Sequence, residues 1–165
     1  MRGAEIVVGV DGEPASRRAL RWAVREARRR GSPLRVVMVW SSHAVLAGPG
    51  PLLMNPELAP HHAEREHRES LREVLAECTS GVPLDVRSEL VEGRPAEVLA
   101  ERSRSAELLV LGDHGKATMA ESVLGSVALH AIRRAECPVV VVPHGVAEDA
   151  LRADRGGPGL DPVLG

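Results

Sequence analysis

Short apolar runs separated by amphipathic segments make up most of this chain. The first run, Ile6–Val10, is rich in β-branched residues and lacks polar alternation, as expected of a strand buried on both faces. Further strand-like runs follow at intervals long enough to hold a helix. The predicted strands are Ile6–Val10, Leu34–Trp40, Leu84–Gly93, Leu108–Leu111 and Pro138–Pro143.

The segments between these strands show apolar residues at helical spacing, with proline or glycine at several of their ends. Pro14 suits the first turn of the first helix, Gly31 ends that helix, and Pro95 begins a third one. The second helix carries Leu71, Val74, Leu75 and Cys78, and the last one covers Ser126–Glu136. Residues 41–60 contain too many prolines for a regular element and are predicted to form a loop.

Strands that alternate with helices predict parallel β-α-β units, hence an α/β fold with an open sheet and helices on both faces. In such sheets a ligand binds beyond the carboxyl ends of the strands, where the strand order reverses. Polar, glycine-containing segments follow the first strand at Asp11-Gly12 and the fourth at Gly112–Gly115. If these two strands are neighbours, both segments line one crevice.

Composition excludes several classes of function. The chain has 165 residues and a net charge of −2, and it lacks Phe and Tyr, so neither a basic surface nor a base-stacking platform for nucleic acid is expected. The seven arginines of the first helix alternate with its apolar positions, which indicates a solvated face. No apolar run reaches the roughly 20 residues that span a bilayer, so no membrane partner is expected.

Neither the cysteines nor the histidines of the sequence indicate a metal site. Cys78 and Cys137 fit neither a metal site nor a disulfide framework, and the first strand begins too early to leave room for a signal peptide, so we expect a cytoplasmic protein. A histidine cluster on a polar helix lacks metalloprotease spacing and is interpreted as a surface feature. That cluster contains His61, His62 and His67 with Glu64 and Glu66.

The stretch LGDHGKATMAESVLGS, Leu111 to Ser126, follows the fourth strand and contains Gly112, Gly115 and Gly125. Glycines allow positive φ and let backbone N–H groups approach a ligand. Ser126 stands before a helical pattern and is predicted as its N-cap, where free N–H groups favour an anion. The alternative is a tight turn with a simple cap, and glycine spacing alone does not decide between them.

Common nucleotide and catalytic motifs are missing from the sequence. Gly115-Lys116 is followed by alanine, so the stretch is not a Walker A loop, and the first strand-to-helix turn lacks G-x-G-x-x-G. Neither a G-x-S-x-G elbow nor a nucleophile–base pair is evident. We therefore expect no dedicated catalytic residues.

The pattern Gly112-x2-Gly115-x9-Gly125-Ser126 resembles the ATP-binding signature of the universal stress protein family. The likeness extends over Ile6 to Pro143 and includes IVVGVDG, ASRRALRWAVREA, VVMVW and HAIRRAECPVVVVP. It implies a five-stranded parallel sheet in the order 3-2-1-4-5, a Rossmann-like fold of the adenine nucleotide alpha hydrolase type. It further implies a universal stress protein domain over residues 1–144. The remaining residues 145–165, which contain GGPG, are predicted to form a flexible C-terminal tail.

The resemblance also implies a site for ATP. Asp11, with Gly9 and Val10, would line the ribose and adenine end, and Val39 would contact adenine through its backbone. The phosphates would be held by the glycine loop and by the start of the last helix. The residues implied at that end are Gly112, His114, Gly115, Gly125, Ser126 and the amide of Val127. Leu111 is a further residue expected to bind the nucleotide.

Two residues depart from the family pattern. Asp113 stands where members usually carry Ser or Thr, and Glu13 ends a VDGE sequence where many members have VDGS. A carboxylate that faces a triphosphate repels it unless it turns away or a metal ion bridges the two. Asp113 is therefore a candidate ligand of Mg²⁺, or else a residue that faces water.

By the same resemblance, the protein is an ATP-binding regulatory module of a stress response. Weak ATP hydrolysis, or a dimeric member that binds no nucleotide, are the alternatives. In the family the last strand lies at a sheet edge and pairs with its twin, which predicts a homodimer through Val139–Val142.

Overall fold

A computed structural model describes residues 4–41, 60–114 and 124–146. Its elements, in chain order, are β1 Glu5–Val10, α1 Pro14–Arg30, β2 Leu34–Trp40, α2 Pro60–Thr79, β3 Val86–Glu92, α3 Pro95–Ser103, β4 Ala106–Gly112, α4 Ser126–Arg134 and β5 Val139–Val142. The predicted loop at 41–60 and the tail at 145–165 lie almost wholly outside these ranges, so those two predictions and the domain limits stay predictions.

The five strands form one parallel sheet in the order β3-β2-β1-β4-β5, as predicted. Ile6 of β1 lies opposite Leu34 of β2 on one side and opposite Leu108 of β4 on the other. The first and fourth strands are therefore neighbours, and the polar segments that follow them lie at the same edge of the sheet.

Each face of the sheet carries its own apolar core. On one face Ile6, Val8 and Val10 of β1 pack with residues of α1 and α2, and on the other Val7 packs with residues of α3 and α4. The central strands are buried on both sides because side chains alternate between the faces of a strand. Aliphatic residues and alanine fill nearly all of both cores, in keeping with the absence of Phe and Tyr.

The predicted helix boundaries hold where proline or glycine sets them. Pro14 is the first residue of α1, and Gly31 ends the helix with a left-handed φ of 67° and an N–H that reaches the carbonyls of Ala27 and Arg28. Pro95 likewise begins α3. The predicted third strand is shorter at both ends than expected, because its ladder with β2 begins only at Val86.

Glu26 is a buried carboxylate on α1. It accepts hydrogen bonds from Nη2 of Arg29 at 2.7 Å and from Nε of Arg30 at 2.6 Å. The hydrogen bond from Arg29, reinforced by Arg30, outweighs the desolvation of the carboxylate and lowers the pKa of Glu26 from 4.5 to about 2. The two arginines tie the end of α1 to this buried charge.

We predict that Glu26→Gln removes a pH-dependent part of the stability. A carboxylate whose pKa is lower in the folded state stabilises fully above its unfolded pKa of 4.5 and loses this contribution as the pH falls toward 2. Because solvent screens both arginines, which are exposed, we expect a loss of only about 1 kcal/mol at pH 7 and a smaller loss at pH 3, measured by urea unfolding.

Glu97→Gln serves as the control, because Glu97 forms an exposed ion pair with Arg94 at the same helical spacing. If Glu26→Gln lowered the free energy of unfolding equally at pH 7 and at pH 3, the lowered pKa of Glu26 would not contribute to stability as predicted.

Candidate functional site

A cavity of about 380 Å³ lies at the carboxyl ends of β1, β2 and β4, within the size range of small-molecule sites. Every expected nucleotide-binding residue that the structure describes lines it. Asp113, the candidate Mg²⁺ ligand, does not line it, and Gly115 lies outside the described residues. The expected residues that line the cavity are Gly9, Val10, Asp11, Val39, Leu111, Gly112, His114, Gly125, Ser126 and Val127. The sequence did not point to Ser16, Val37, His67, Pro95, Leu99 and Ala128, which also line the cavity.

Hydrogen bonds close the turn between β1 and α1. Oδ1 of Asp11 accepts from the backbone N–H of Glu13 at 3.0 Å, and the N–H of Asp11 donates to Oγ of Ser16 at 3.2 Å. Ser16 donates in turn to the carbonyl of Glu13 at 3.0 Å. Gly12 has a φ of 88°, where a side chain would be strained. This closed turn holds the first residues of α1 beside the cavity.

Gly112 allows a close approach between the end of β4 and the start of α1. A Cβ at this position would lie 2.8 Å from the carbonyl carbon of Ala15 and 2.9 Å from its oxygen. Positive φ is not the reason for this glycine or for Gly125, since neither adopts it and Gly125 has a φ of −62°. The absence of a side chain at Gly112 thus serves the contact with α1.

The prediction that Ser126 is the N-cap of the last helix is wrong by one residue. Gly125 is the N-cap, with extended backbone and a carbonyl that accepts from the N–H of Leu129 at 3.0 Å. The N–H of Gly125 donates to the carbonyl of Asp113 at 2.7 Å, which fixes the start of α4 beside the end of β4. Ser126 is the first helical residue and is exposed, so its hydroxyl and the first amides of α4 border the cavity.

The side chain of Asp113 is engaged by the protein itself. Oδ2 accepts from the N–H of His144, just past β5, at 2.9 Å. Oδ1 lies 3.7 Å from Nη2 of Arg18 and 2.8 Å from Nδ1 of His114. Among the described residues that line the cavity, neither Asp113 nor Glu13 is present.

Arg18 is the partner of Asp113 that sequence reasoning missed. It belongs to the arginine-rich face of α1, which the sequence pattern predicts to be solvated, yet only 6% of its surface is exposed. Its Nε and Nη2, together with Oδ1 of Asp113, are buried without an aligned hydrogen bond in the described part of the chain. The pair is thus a buried, incompletely satisfied charge contact.

The histidine cluster divides in two. His61 and His62 are exposed, as the surface interpretation requires, but His67 lines the cavity. One signal in the sequence could have revealed it, since His67 shares a helical stripe with Leu71, Val74 and Cys78, which are buried.

The described residues contain neither a metal-binding cluster nor a membrane-spanning helix. No cluster of three or more His, Cys, Asp or Glu side chains is arranged there to hold a metal ion. Among the same residues, no helix combines the length and the apolar character needed to cross a membrane.

This chain is similar in sequence to known proteins of one family. A family model described as "Universal stress protein family" matches residues 4–143. A universal stress protein of Mycobacterium tuberculosis is 36% identical over 163 residues, which cover 96% of this chain and 52% of that relative. The chain thus spans about half the length of the curated relatives it matches.

Solved structures show the same fold. A protein from the universal stress protein family of Burkholderia pseudomallei is 27% identical, with a TM-score of 0.64, and the match covers 85% of this chain and 96% of that chain. A universal stress protein solved in complex with cAMP is 25% identical, with a TM-score of 0.54 and the same two coverages.

We predict that Asp113→Ser lowers the free energy of unfolding by about 1–3 kcal/mol, because it removes the acceptor of the His144 N–H and leaves Arg18 buried without a counter-charge. The double variant with Arg18→Met should lose less than the sum of the two single variants. Urea unfolding measures all three differences. An unchanged midpoint for Asp113→Ser, or strictly additive effects, would contradict the pairing.

Proposed function

This chain belongs to the universal stress protein family, and on that premise we propose that it binds ATP in the cavity at the carboxyl ends of β1 and β4. In this proposal the protein is a cytoplasmic, nucleotide-dependent regulatory module of a stress response. One observation carries it: residues expected from separate parts of the sequence converge on a single cavity.

The walls of the cavity differ in a way that suits the parts of ATP. Val37, Val39, Pro95 and Leu99 lie toward α3 and offer an apolar surface to the adenine ring. At the other end the cavity is lined by residues of the first turns of α1 and α4. Amides that begin a helix have no carbonyl partner within it, which favours phosphate there. The relative in complex with cAMP further supports an adenine nucleotide as the ligand.

Backbone groups carry most of this proposed phosphate site. Gly112, Gly125 and the amide of Val127 would approach the phosphates, and the Ser126 hydroxyl and His114 would add side-chain contacts. The carboxylate of Asp113 is held by Arg18 and His144, so its repulsion of the phosphates is reduced. Gly115 remains part of the proposed motif.

A role of Asp113 in holding Mg²⁺ remains a proposal. An ion at this carboxylate would compete with Arg18 and with the His144 N–H for the same two oxygens. Weak ATP hydrolysis is the second candidate function and a dimer that binds no nucleotide is the third. Mass analysis for a copurifying nucleotide separates the third from the other two.

We propose that a homodimer forms through Val139–Val142. Strand β5 is the edge of the sheet, and three of its four side chains are only partly buried. Leu129 and Ile132 of the adjacent α4 are 44% and 56% exposed. An apolar helix face beside an unpaired strand edge is a surface that proteins normally cover, and a second copy would cover both at once.

Gly125→Val tests the phosphate site. The backbone of Gly125, at φ −62° and ψ 152°, is accessible to valine, so we attribute the expected effect to the side chain that enters the phosphate approach. Losing one or two charge-assisted hydrogen bonds, at about 1.5–3 kcal/mol each, should lower ATP affinity at least tenfold in isothermal titration.

The control is Gly145→Val, since that glycine is exposed and a side chain there would meet open space. An unchanged ATP titration by a folded Gly125→Val protein would refute the phosphate assignment.

Val141→Lys tests the dimer. A lysine in the middle of β5 places a charge on the proposed interface and should shift the protein toward monomer in light scattering at micromolar concentration. Ser105→Lys adds the same charge at an exposed position outside β5 and should leave the assembly unchanged. A wild-type protein that is already monomeric under these conditions would overturn the dimer.

A further inference from the structure

His67 brings α2 into a site that the sequence motif assigns to other elements. Leu71, Val74 and Cys78 of α2 are buried against the sheet, and His67 continues the same stripe one turn nearer the start of the helix. Because α2 runs opposite to the strands it covers, this turn lies at their carboxyl ends. His67 therefore lines the cavity where a core residue would otherwise stand.

The ring of His67 is oriented by its own helix. Nδ1 lies 2.7 Å from the carbonyl oxygen of Ala63. A carbonyl oxygen only accepts, so Nδ1 carries the hydrogen and donates it. In the neutral ring Nε2 is then a hydrogen-bond acceptor, and it is the polar atom left to meet a ligand.

The position of α2 decides which part of a nucleotide His67 meets. Ser70, one residue before Leu71, lies so close to the β1–α1 turn that its Oγ would be 2.6 Å from a Cβ at Gly12. Asp11, Ser16 and His67 thus form a polar side of the cavity, opposite the apolar side toward α3. A base on the apolar side and phosphates at the start of α4 leave the sugar facing this polar side.

We propose that Nε2 of His67 accepts a hydrogen bond from a ribose hydroxyl and so makes the site selective for ribonucleotides, an inference that rests on the proposed binding of ATP. A ribose hydroxyl is a donor of the required kind, and a deoxyribose lacks one of them. His67 is in this view a specificity residue supplied by α2, outside the glycine motif.

The test compares the affinities of ATP, 2′-deoxyATP and 3′-deoxyATP for the full chain and its variants by isothermal titration. We expect the wild type to bind one of the two deoxy analogues about fivefold to tenfold more weakly than ATP, as the loss of one hydrogen bond implies. His67→Phe keeps a ring but removes the acceptor, and should weaken ATP by the same factor while leaving that analogue unchanged. His67→Gln offers an amide oxygen as a replacement acceptor and should retain the preference.

His61→Ala is the matched control, because His61 is exposed on the same helix and does not line the cavity. Inosine triphosphate, which lacks the 6-amino group, should lose as much affinity as ATP on His67→Phe. A loss for ATP but not for inosine triphosphate would move the contact to the base and overturn the ribose assignment.

Three further outcomes are distinguishable. If His67→Phe weakens ATP and both deoxy analogues equally, His67 only shapes the cavity and the inference is wrong, although the proposed function stands. If His67→Phe changes nothing, the inference is wrong as well. If the wild type binds no adenine nucleotide, the proposed function itself fails. If His67→Phe does not fold, the affinities of the wild type and of His67→Ala for ATP and for the two deoxy analogues are compared instead.

Discussion

The pairing of β1 with β4 determines how the rest of this protein is arranged. The two strands are far apart in the chain, yet Ile6, Val7 and Val8 lie opposite Leu108, Leu109 and Val110. All six side chains are buried, so apolar packing from both helical layers holds the pair together. The chain adds β2 and β3 on one side of this pair and β5 on the other. The helices that follow β1 and β4 therefore cover opposite faces of the sheet, and their first turns leave a crevice between them.

Close backbone contacts, more than charged side chains, shape this crevice. Gly112 lets the end of β4 approach the first turn of α1, and the hydrogen bond from Gly125 to Asp113 holds the start of α4 beside β4. Helix termini direct partial positive charge toward the cavity without the desolvation that buried lysines or arginines would require. Such a site suits an anionic ligand even in a protein whose net charge is −2.

Asp113 shows how an acidic substitution in the motif is accommodated. Its carboxylate connects α1, through Arg18, with the residue after β5, through the N–H of His144. A charge that would oppose phosphate is directed instead toward a buried cation. The same contact links the loop beside the cavity to the edge strand, so the proposed nucleotide site and the proposed dimer edge share a structural element.

The sequence by itself indicated the strands, the helices and the polar segments that follow β1 and β4, because periodicity and turn residues are local signals. Tertiary structure decided the rest. The N-cap of α4 is Gly125 instead of Ser126, since the contact with Asp113 sets where the helix begins. Arg18 is buried although it belongs to an arginine-rich helix, and His67 lines the cavity although it belongs to a polar helix. These roles depend on which elements pack together. Local sequence signals do not reveal them, because burial and charge pairing arise from contacts between residues that are distant in the chain.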